Sequence, residues 1–452
     1  MTIPELPGAE PRLQRRYHQL VVSHLSSAQR VAAGLRAPAA GEADPFAATQ
    51  AAWRFYANPN VGMPELAGPV VACARAAVSG GVACDEFALV VLDWSPLHFG
   101  GHASKPDRVP LAHEKDLGYD LLTALALSDR DGSPLAPLAL ELRGADGVHT
   151  TRAERPLEPA SRLDGLTPLI DHVESLNLGR PAVFLIDREA DSVGHLRAWH
   201  AAGRRFVVRA DDAPRVLHEG AERKLGKVAG GLSRATFADA GEVAFKGNPA
   251  RQFVAETPVV LERPARTHRV DRKTGKARHR NVRGEPLPLR LVVSEVRDVA
   301  SGEVLARWLL LTNVPASEAD AATVARWYYW RWRIESYHKL LKGAGQQVEQ
   351  WQQESAAALA RRLLVAAMAC VVVWRLARDD RPQAAAMREV LVRLSGRQMR
   401  RGKATRGFTE PALLAGLGVL LPMLELLEHH DVADLRAMAE AALPGLLRRE
   451  GG

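Results

Sequence analysis

The chain has 452 residues, 47% of them apolar, and a formal net charge of +8, which is enough length and apolar content to bury one or more sizeable cores. Its longest uninterrupted apolar run, Leu363 to Trp374, falls well short of the roughly 20 residues that cross a bilayer, and the N-terminal stretch, broken by Pro4, Pro7 and Pro11, lacks the apolar region of a secretory signal. Three cysteines, Cys73, Cys84 and Cys370, contain no CxxC pair, which argues against a disulfide framework or a zinc cluster, while the basic excess suits a polyanionic partner whose phosphates Lys and Arg would neutralise.

In chain order, residues 1–45 read as a basic arm, helical from Arg12 to Ala32, followed by an Ala/Gly/Pro linker from Ala33 to Pro45. Residues 46–86 read as helical with turns. Phe87 to Leu92 is a strand-length apolar run ending at Asp93, and two further strands, Tyr119 to Leu127 and Leu135 to Leu142, flank the turn signal Asp129-Arg-Asp-Gly-Ser133. A helix from Leu166 to Leu176, a fourth strand from Ala182 to Ile186 ending at Asp187, a helix from Ser192 to Ala202 and a fifth strand from Arg205 to Arg209 complete residues 87–235. The order strand, strand, strand, helix, strand, helix, strand is that of a ribonuclease-H-like α/β core, in which the first and fourth strands lie side by side and bring two carboxylates together. Residues 236–311 read as a β-rich insertion that interrupts this core. It carries nine Lys or Arg between Arg263 and Arg283 against the single acid Asp271, a pattern also compatible with a solvated loop. Residues 312–352 hold the core's last helix, and 353–452 are helical, with a second basic cluster at Arg397, Arg400, Arg401, Lys403 and Arg406.

The stretch from Ala321 to Gly343 carries two stripes. On a single helix at about 100° per residue, Tyr328, Arg331, Glu335 and Lys342 share an arc of about 60°. Trp327, Trp330, Ile334, Tyr337 and Leu341 cluster on another face and pack the helix down. A carboxylate with a cation one turn before it and another two turns after suits metal-assisted chemistry on phosphates, although a solvated face with an Arg331–Glu335 ion pair fits the same spacing.

The segment Tyr328-Tyr-Trp-Arg331-Trp-Arg-Ile-Glu335-Ser-Tyr-His-Lys-Leu-Leu-Lys342 resembles the Tyr-x2-Arg-x3-Glu-x6-Lys signature of DDE transposases of the insertion-sequence-four family, including the hairpin-forming cut-and-paste type. Asp187-Arg-Glu-Ala-Asp191 followed by Arg205-Phe-Val-Val-Arg209 is similar to the second-aspartate segment of those proteins. Trp308-Leu-Leu-Leu-Thr312 is similar to the strand closing their β-insertion, and Trp53 to Asn60 resembles the sequence before their first catalytic strand. Trp94-Ser95-Pro96 departs from the small hydroxyl residues expected after the first aspartate.

The resemblance implies a DNA transposase. Asp93, Asp187 and Glu335 would bind two Mg²⁺ or Mn²⁺ ions and catalyse cutting of transposon ends and their joining to target DNA through a hairpin intermediate. Tyr328, Arg331, Lys342, Arg209, Arg333 and Lys339 would contact DNA, and a flipped base would stack on Trp308. It further implies double-stranded DNA as partner, a homodimer paired through the C-terminal helices, no membrane association, and a bacterial cytoplasmic, nucleoid-associated location. Two alternatives stay open: a non-catalytic DNA-binding derivative of a transposase, and a carboxylate-pair glycosidase, whose acids would not need the Arg/Lys stripe.

Overall fold

The computed structural model describes residues 2–26, 45–81, 83–188, 192–270, 277–397 and 407–442. The expected linker Ala33 to Pro45, all but its last residue, and the basic residues Arg272, Lys273, Lys276, Arg400, Arg401, Lys403 and Arg406 lie outside them, as do Glu189 and Asp191. In chain order the elements are α1 (Pro11–Ser26), α2 (Pro45–Ala57), α3 (Met63–Ser79), β1 (Ala88–His98), β2 (Val109–Pro110), β3 (Leu117–Ser128), β4 (Pro134–Gly144), β5 (Gly147–Thr150) and α4 (Arg162–Ser175). Next come β6 (Ala182–Ile186), α5 (Val193–Ala201), β7 (Arg205–Ala210), β8 (Arg215–His218), β9 (Ala221–Lys224), α6 (Leu225–Gly231), β10 (Ala238–Phe245), β11 (Asn248–Leu261), β12 (Ala265–Val270) and β13 (Ala277–Val282). The chain continues with β14 (Leu287–Asp298), β15 (Val304–Thr312), α7 (Ala321–Trp330), α8 (Arg333–Leu341), α9 (Ala356–Arg378), α10 (Pro382–Leu394), α11 (Glu410–Leu427) and α12 (Val432–Ala442). They divide into two compact units, one of Met1–Gly62, Phe99–Pro106 and Lys339–Gly452, the other of Met63–His98 and Asp107–His338.

The second unit is mixed α/β. Its sheet runs β5-β4-β3-β1-β6-β7-β15-β14-β11-β8-β9, with β10 on β11 and β2 on β3. β1 pairs antiparallel with β3 but parallel with β6, and β6 is parallel to β7. The continuous apolar runs Ala88 to Leu92 and Ala182 to Ile186 are fully buried, as expected of central strands covered on both faces. β10, β11, β14 and β15 of the expected insertion belong to this same sheet, while β12 and β13 form a separate pair. β15 lies antiparallel beside β7, with Leu310 opposite Arg209, because the buried run Trp308 to Thr312 can face strands on both edges. The added strands also seat α7. The buried Gln252 side chain on β11 donates to Ser294 Oγ at 2.8 Å and to the Ala325 carbonyl at 3.2 Å, and the Tyr329 hydroxyl donates to the Ala244 carbonyl at 2.7 Å.

The first unit is helical and built around α9, whose apolar stretch is buried within it. Residues 11–26, read as part of an arm, form α1, which buries Tyr17, Leu20, Val21 and Leu25 against α9 and α11. Arg362 is buried in α9, stacked over Trp351 at 4.0 Å and donating to Gln353 Oε1 at 2.8 Å, and burial draws its pKa down to about 9. Beside it, His24 Nδ1 donates to Gln346 Oε1 at 2.7 Å, while burial first and Arg362 second push the imidazole down to about 3, so it is neutral.

The β3–β4 turn joins the sheet to the helix that follows it. Asp129 accepts hydrogen bonds from the backbone amides of Asp85, Glu86 and Phe87, fixing the start of β1. Gly132 has φ +68, and a Cβ built on it would stand 2.3 Å from Cγ of Trp330 at the end of α7. Gly132→Ala should therefore lower the unfolding free energy by about 1–3 kcal/mol. Gly165→Ala, inside α4 with nothing within 4 Å of its Cβ, should raise it slightly. Urea denaturation of the two variants checks both directions.

Candidate active site

β1 and β6 are in register up to Leu92 opposite Ile186, so Asp93 and Asp187 occupy matching positions one residue further along parallel strands that lie about 4.8 Å apart. Asp187 follows the end of β6, as read from the sequence. Asp93 does not end its strand: β1 runs on to His98 against β3 alone, with Asp93 opposite Thr123. The pairing with β3 outlasts the pairing with β6, and this leaves the Asp93 side chain beside the open end of its parallel neighbour.

One side chain joins the two acids. Arg331, 3% exposed, places NH1 3.3 Å from Asp93 Oδ2 and NH2 3.2 Å from Asp187 Oδ2. Asp187 also accepts from the Tyr328 hydroxyl at 3.2 Å and from the Arg188 amide at 2.8 Å, and Arg209 stands 3.7 Å from its Oδ1. Asp93 accepts from the Trp94 amide at 2.9 Å. Trp308 is buried behind this cluster, its ring 5.9 Å from that of Tyr328.

The chain at Arg331 explains how the guanidinium reaches inward. A single helix was expected over Ala321 to Gly343, but α7 ends at Trp330 and α8 begins at Arg333. The Arg331 amide donates to the Tyr328 carbonyl and the Ile334 amide to the Arg331 carbonyl, each at 3.1 Å. These three-residue steps tighten the chain locally. The phase of the expected polar stripe is reset there: Tyr328 and Arg331 are buried, while Trp332 is 44% exposed. Glu335 opens α8 with intermediate exposure, and its charge acts on both Asp93 and Arg331.

The electrostatics are asymmetric. Burial pushes Asp93 up to about 6. Arg331 and the Trp94 amide oppose the rise, and the neighbouring Asp187 and Glu335 charges add to it. Asp187 is also desolvated, yet Arg331, the Arg188 amide, Arg209 and the Tyr328 hydroxyl together outweigh that and hold its pKa below the usual carboxylate value. Burial acts against the Arg331 charge, but Tyr328, Asp187, Asp93 and Glu335 outweigh it and raise the guanidinium's pKa. Among the described residues, no group of three or more His, Cys, Asp or Glu side chains is arranged to hold a metal ion.

Of the expected DNA contacts, Tyr328, Arg331 and Arg209 gather around Asp187 and Trp308 lies against Tyr328, whereas Arg333 is only partly buried on α8. Lys339 and Lys342 belong to the first unit, where Lys339 is exposed and Lys342 stands 3.8 Å from Glu349. The sequence reading placed Arg331 on phosphates and overlooked its bridge between the aspartates. It also missed His338, buried one turn after Glu335 with Nε2 3.4 Å from Thr123 Oγ1, the residue opposite Asp93.

Residues 160–372 match the family described as the transposase DDE domain. The match includes Asp187 and Glu335 and begins after Asp93. A cryo-EM structure described as a piggyBac transposase synaptic complex with hairpin DNA is similar to this chain at 10% identity and a TM-score of 0.31, over 81% of this chain and 59% of that one.

Two measurements follow from the bridge. Arg331→Ala leaves two neighbouring carboxylates without their shared cation and should cost about 3 kcal/mol of unfolding free energy near neutral pH, a loss that shrinks at low pH as the acids protonate. Separately, Asp93 holds its proton more tightly folded than unfolded, so it favours the fold below the ordinary carboxylate pKa of 3.8, and that contribution is lost as pH rises through about 6. Asp93→Asn should flatten the stability profile of the protein in chelator across that window, read by thermal melts at successive pH values.

Proposed function

We propose that this chain is a DNA transposase that cuts transposon ends and joins them to target DNA, of the insertion-sequence-four type and with a ribonuclease-H-like core. What carries the reading is the pairing of Asp93 and Asp187 on β1 and β6, with Glu335 acting on the same cluster, in a chain whose residues 160–372 match the transposase DDE domain. The antiparallel β3–β1 pair and the parallel β1–β6–β7 strands support the core assignment.

The donor chemistry fits a hard divalent cation: the acids offer carboxylate oxygens, and Asp93, despite Arg331, remains under-neutralised. In this reading Asp93, Asp187 and Glu335 would hold two Mg²⁺ or Mn²⁺ ions. Such ions, when bound, activate a water or a 3′-hydroxyl and stabilise the leaving oxygen. The chain's own residues do the rest. Arg331 and Arg209 offer charge to phosphate oxygens once drawn from the acids, and Tyr328 offers a hydroxyl donor. Hydrolysis of one strand followed by attack of its 3′-hydroxyl on the other gives the hairpin route.

A second copy of this chain is the proposed partner in synapsis. The C-terminal half of α11 leaves Val419, Met423, Leu424 and Leu427 39–49% exposed, an apolar surface of the kind that marks an interface. One observation favours the non-catalytic alternative, namely that the acids do not form a metal-holding group in this conformation.

The deciding experiment incubates the protein with DNA carrying the inverted repeats that flank its gene, in Mg²⁺ or Mn²⁺. The transposase reading expects nicking at the repeat ends. Glu335→Ala and Asp187→Asn should lose roughly a hundredfold or more of the rate while binding DNA as before. Binding without cutting in either metal would give the reading to the regulator.

A further inference from the structure

Trp94 follows Asp93 on β1 and points to the opposite face of the sheet, since successive side chains of a strand alternate. The sequence reading marked it as a departure from the transposase pattern, and the acidic cluster makes no use of its ring. The register across four strands shows what lies beside that ring. Trp94 is opposite Leu122 on β3, Leu122 is opposite Glu141 on β4, and Glu141 is opposite Thr150 on β5. One row along, Asp120 on β3 is opposite Arg143 on β4. Residues directly opposite one another share a face, and Trp94, Leu122, Glu141, Asp120 and Arg143 floor an open-mouthed cavity of about 490 Å³.

The wall is the chain that runs from Arg152 into α4. Val148 and Leu157 exchange both backbone hydrogen bonds at 2.9 Å, which folds this segment back along β5. Arg162, at the start of α4, then locks onto the floor. It donates through Nε and NH2 to the two oxygens of Asp120 at 3.0 and 3.1 Å, with its guanidinium 5.7 Å from the centre of the Trp94 ring. Other groups stay uncommitted. Glu141 is 6% exposed, and its Oε1 accepts from Arg152 Nε at 2.7 Å and from the Thr150 hydroxyl at 3.2 Å, while its Oε2 accepts no hydrogen bond among the described residues. Among the same residues, NH1 and NH2 of Arg152 donate none, and Arg143, exposed at the rim, has no acid partner. The cavity thus offers an aromatic ring, a buried acceptor beside free donors, and a cation at its mouth.

We propose that this cavity binds a nucleotide, with the base against the Trp94 ring, its pairing edge on Glu141 and Arg152, and its phosphate on Arg143. A buried acceptor without a donor is costly, and the Watson–Crick edge of every nucleobase presents a donor beside an acceptor, the complement of Glu141 Oε2 and the free Arg152 nitrogens. Stacking on an aromatic ring holds any base, and a guanidinium suits a phosphate. An acidic peptide would be repelled by the carboxylate, and a metal ion by the guanidiniums. The same base and phosphate come either from a free nucleotide or from an unpaired nucleotide of a DNA strand. The site lies on the other face of the sheet from Asp93 and does not rest on the metal chemistry proposed there.

The test is calorimetric titration of the full chain, in chelator so that no metal recruits phosphate to the acids. The ligands are deoxyadenosine monophosphate, deoxyadenosine, and a single-stranded oligodeoxyadenylate of about ten nucleotides, a length within the usual range of single-strand sites. Trp94→Ala should bind the mononucleotide roughly tenfold or more weakly, and Trp94→Phe, which keeps a ring, should retain most of the affinity. Arg143→Ala, at an exposed position that leaves the fold intact, should weaken the mononucleotide roughly tenfold and leave deoxyadenosine unchanged. Tighter binding of the oligomer than of the mononucleotide, with the same sensitivity to both alanine substitutions, assigns the site to a DNA strand. Equal affinity assigns it to the free nucleotide. Binding of neither by wild type, or binding that both alanine variants leave unchanged, overturns the site.

Discussion

Two carboxylates on neighbouring parallel strands repel each other, and in this protein a single guanidinium resolves the repulsion. Arg331 lies between Asp93 and Asp187 at 3.3 and 3.2 Å, and much of the second unit serves to put it there. Gln252 and Tyr329 fasten α7 to the outer strands, Trp330 rests on Gly132 in the β3–β4 turn, and the chain tightens at Arg331 so that its side chain points inward. Desolvation makes an unpaired charge costly at such a place. In the reading proposed above, the same cation would pass to phosphate oxygens and leave the two acids unneutralised.

The asymmetry between the acids gives the site a polarity. Asp187 has Tyr328, Arg209, Arg331 and a backbone amide around it and stays ionised, while burial, opposed by fewer donors, pushes Asp93 up to about 6.

Much of this was legible in the sequence. The apolar run Ala182 to Ile186 ending at Asp187 and the turn signal at Asp129 to Ser133 follow from local pattern, and the adjacency of the first and fourth core strands follows from the order of elements. Three things did not. β1 continues past Asp93 because Ser95 and Leu97 still point inward against β3, a strand pattern masked by Pro96. The break at Arg331 has no Gly or Pro to announce it, so helical arithmetic carried Arg331 onto a polar stripe when tertiary contacts bury it. The basic residues after Arg263 read as a loop, since only the pairing of His268 with His279 and its neighbours reveals a ribbon, and pairing partners cannot be read from charge alone.

The most direct test is a pair of crystal structures of the full chain, grown in chelator and in Mn²⁺, with the metal located by its anomalous signal. The account predicts Arg331 bridging Asp93 and Asp187 in chelator, and in Mn²⁺ a peak between the two acids with the guanidinium withdrawn from at least one of them. Manganese bound elsewhere while Arg331 keeps both contacts, or aspartates that are unbridged and apart in chelator, would contradict it.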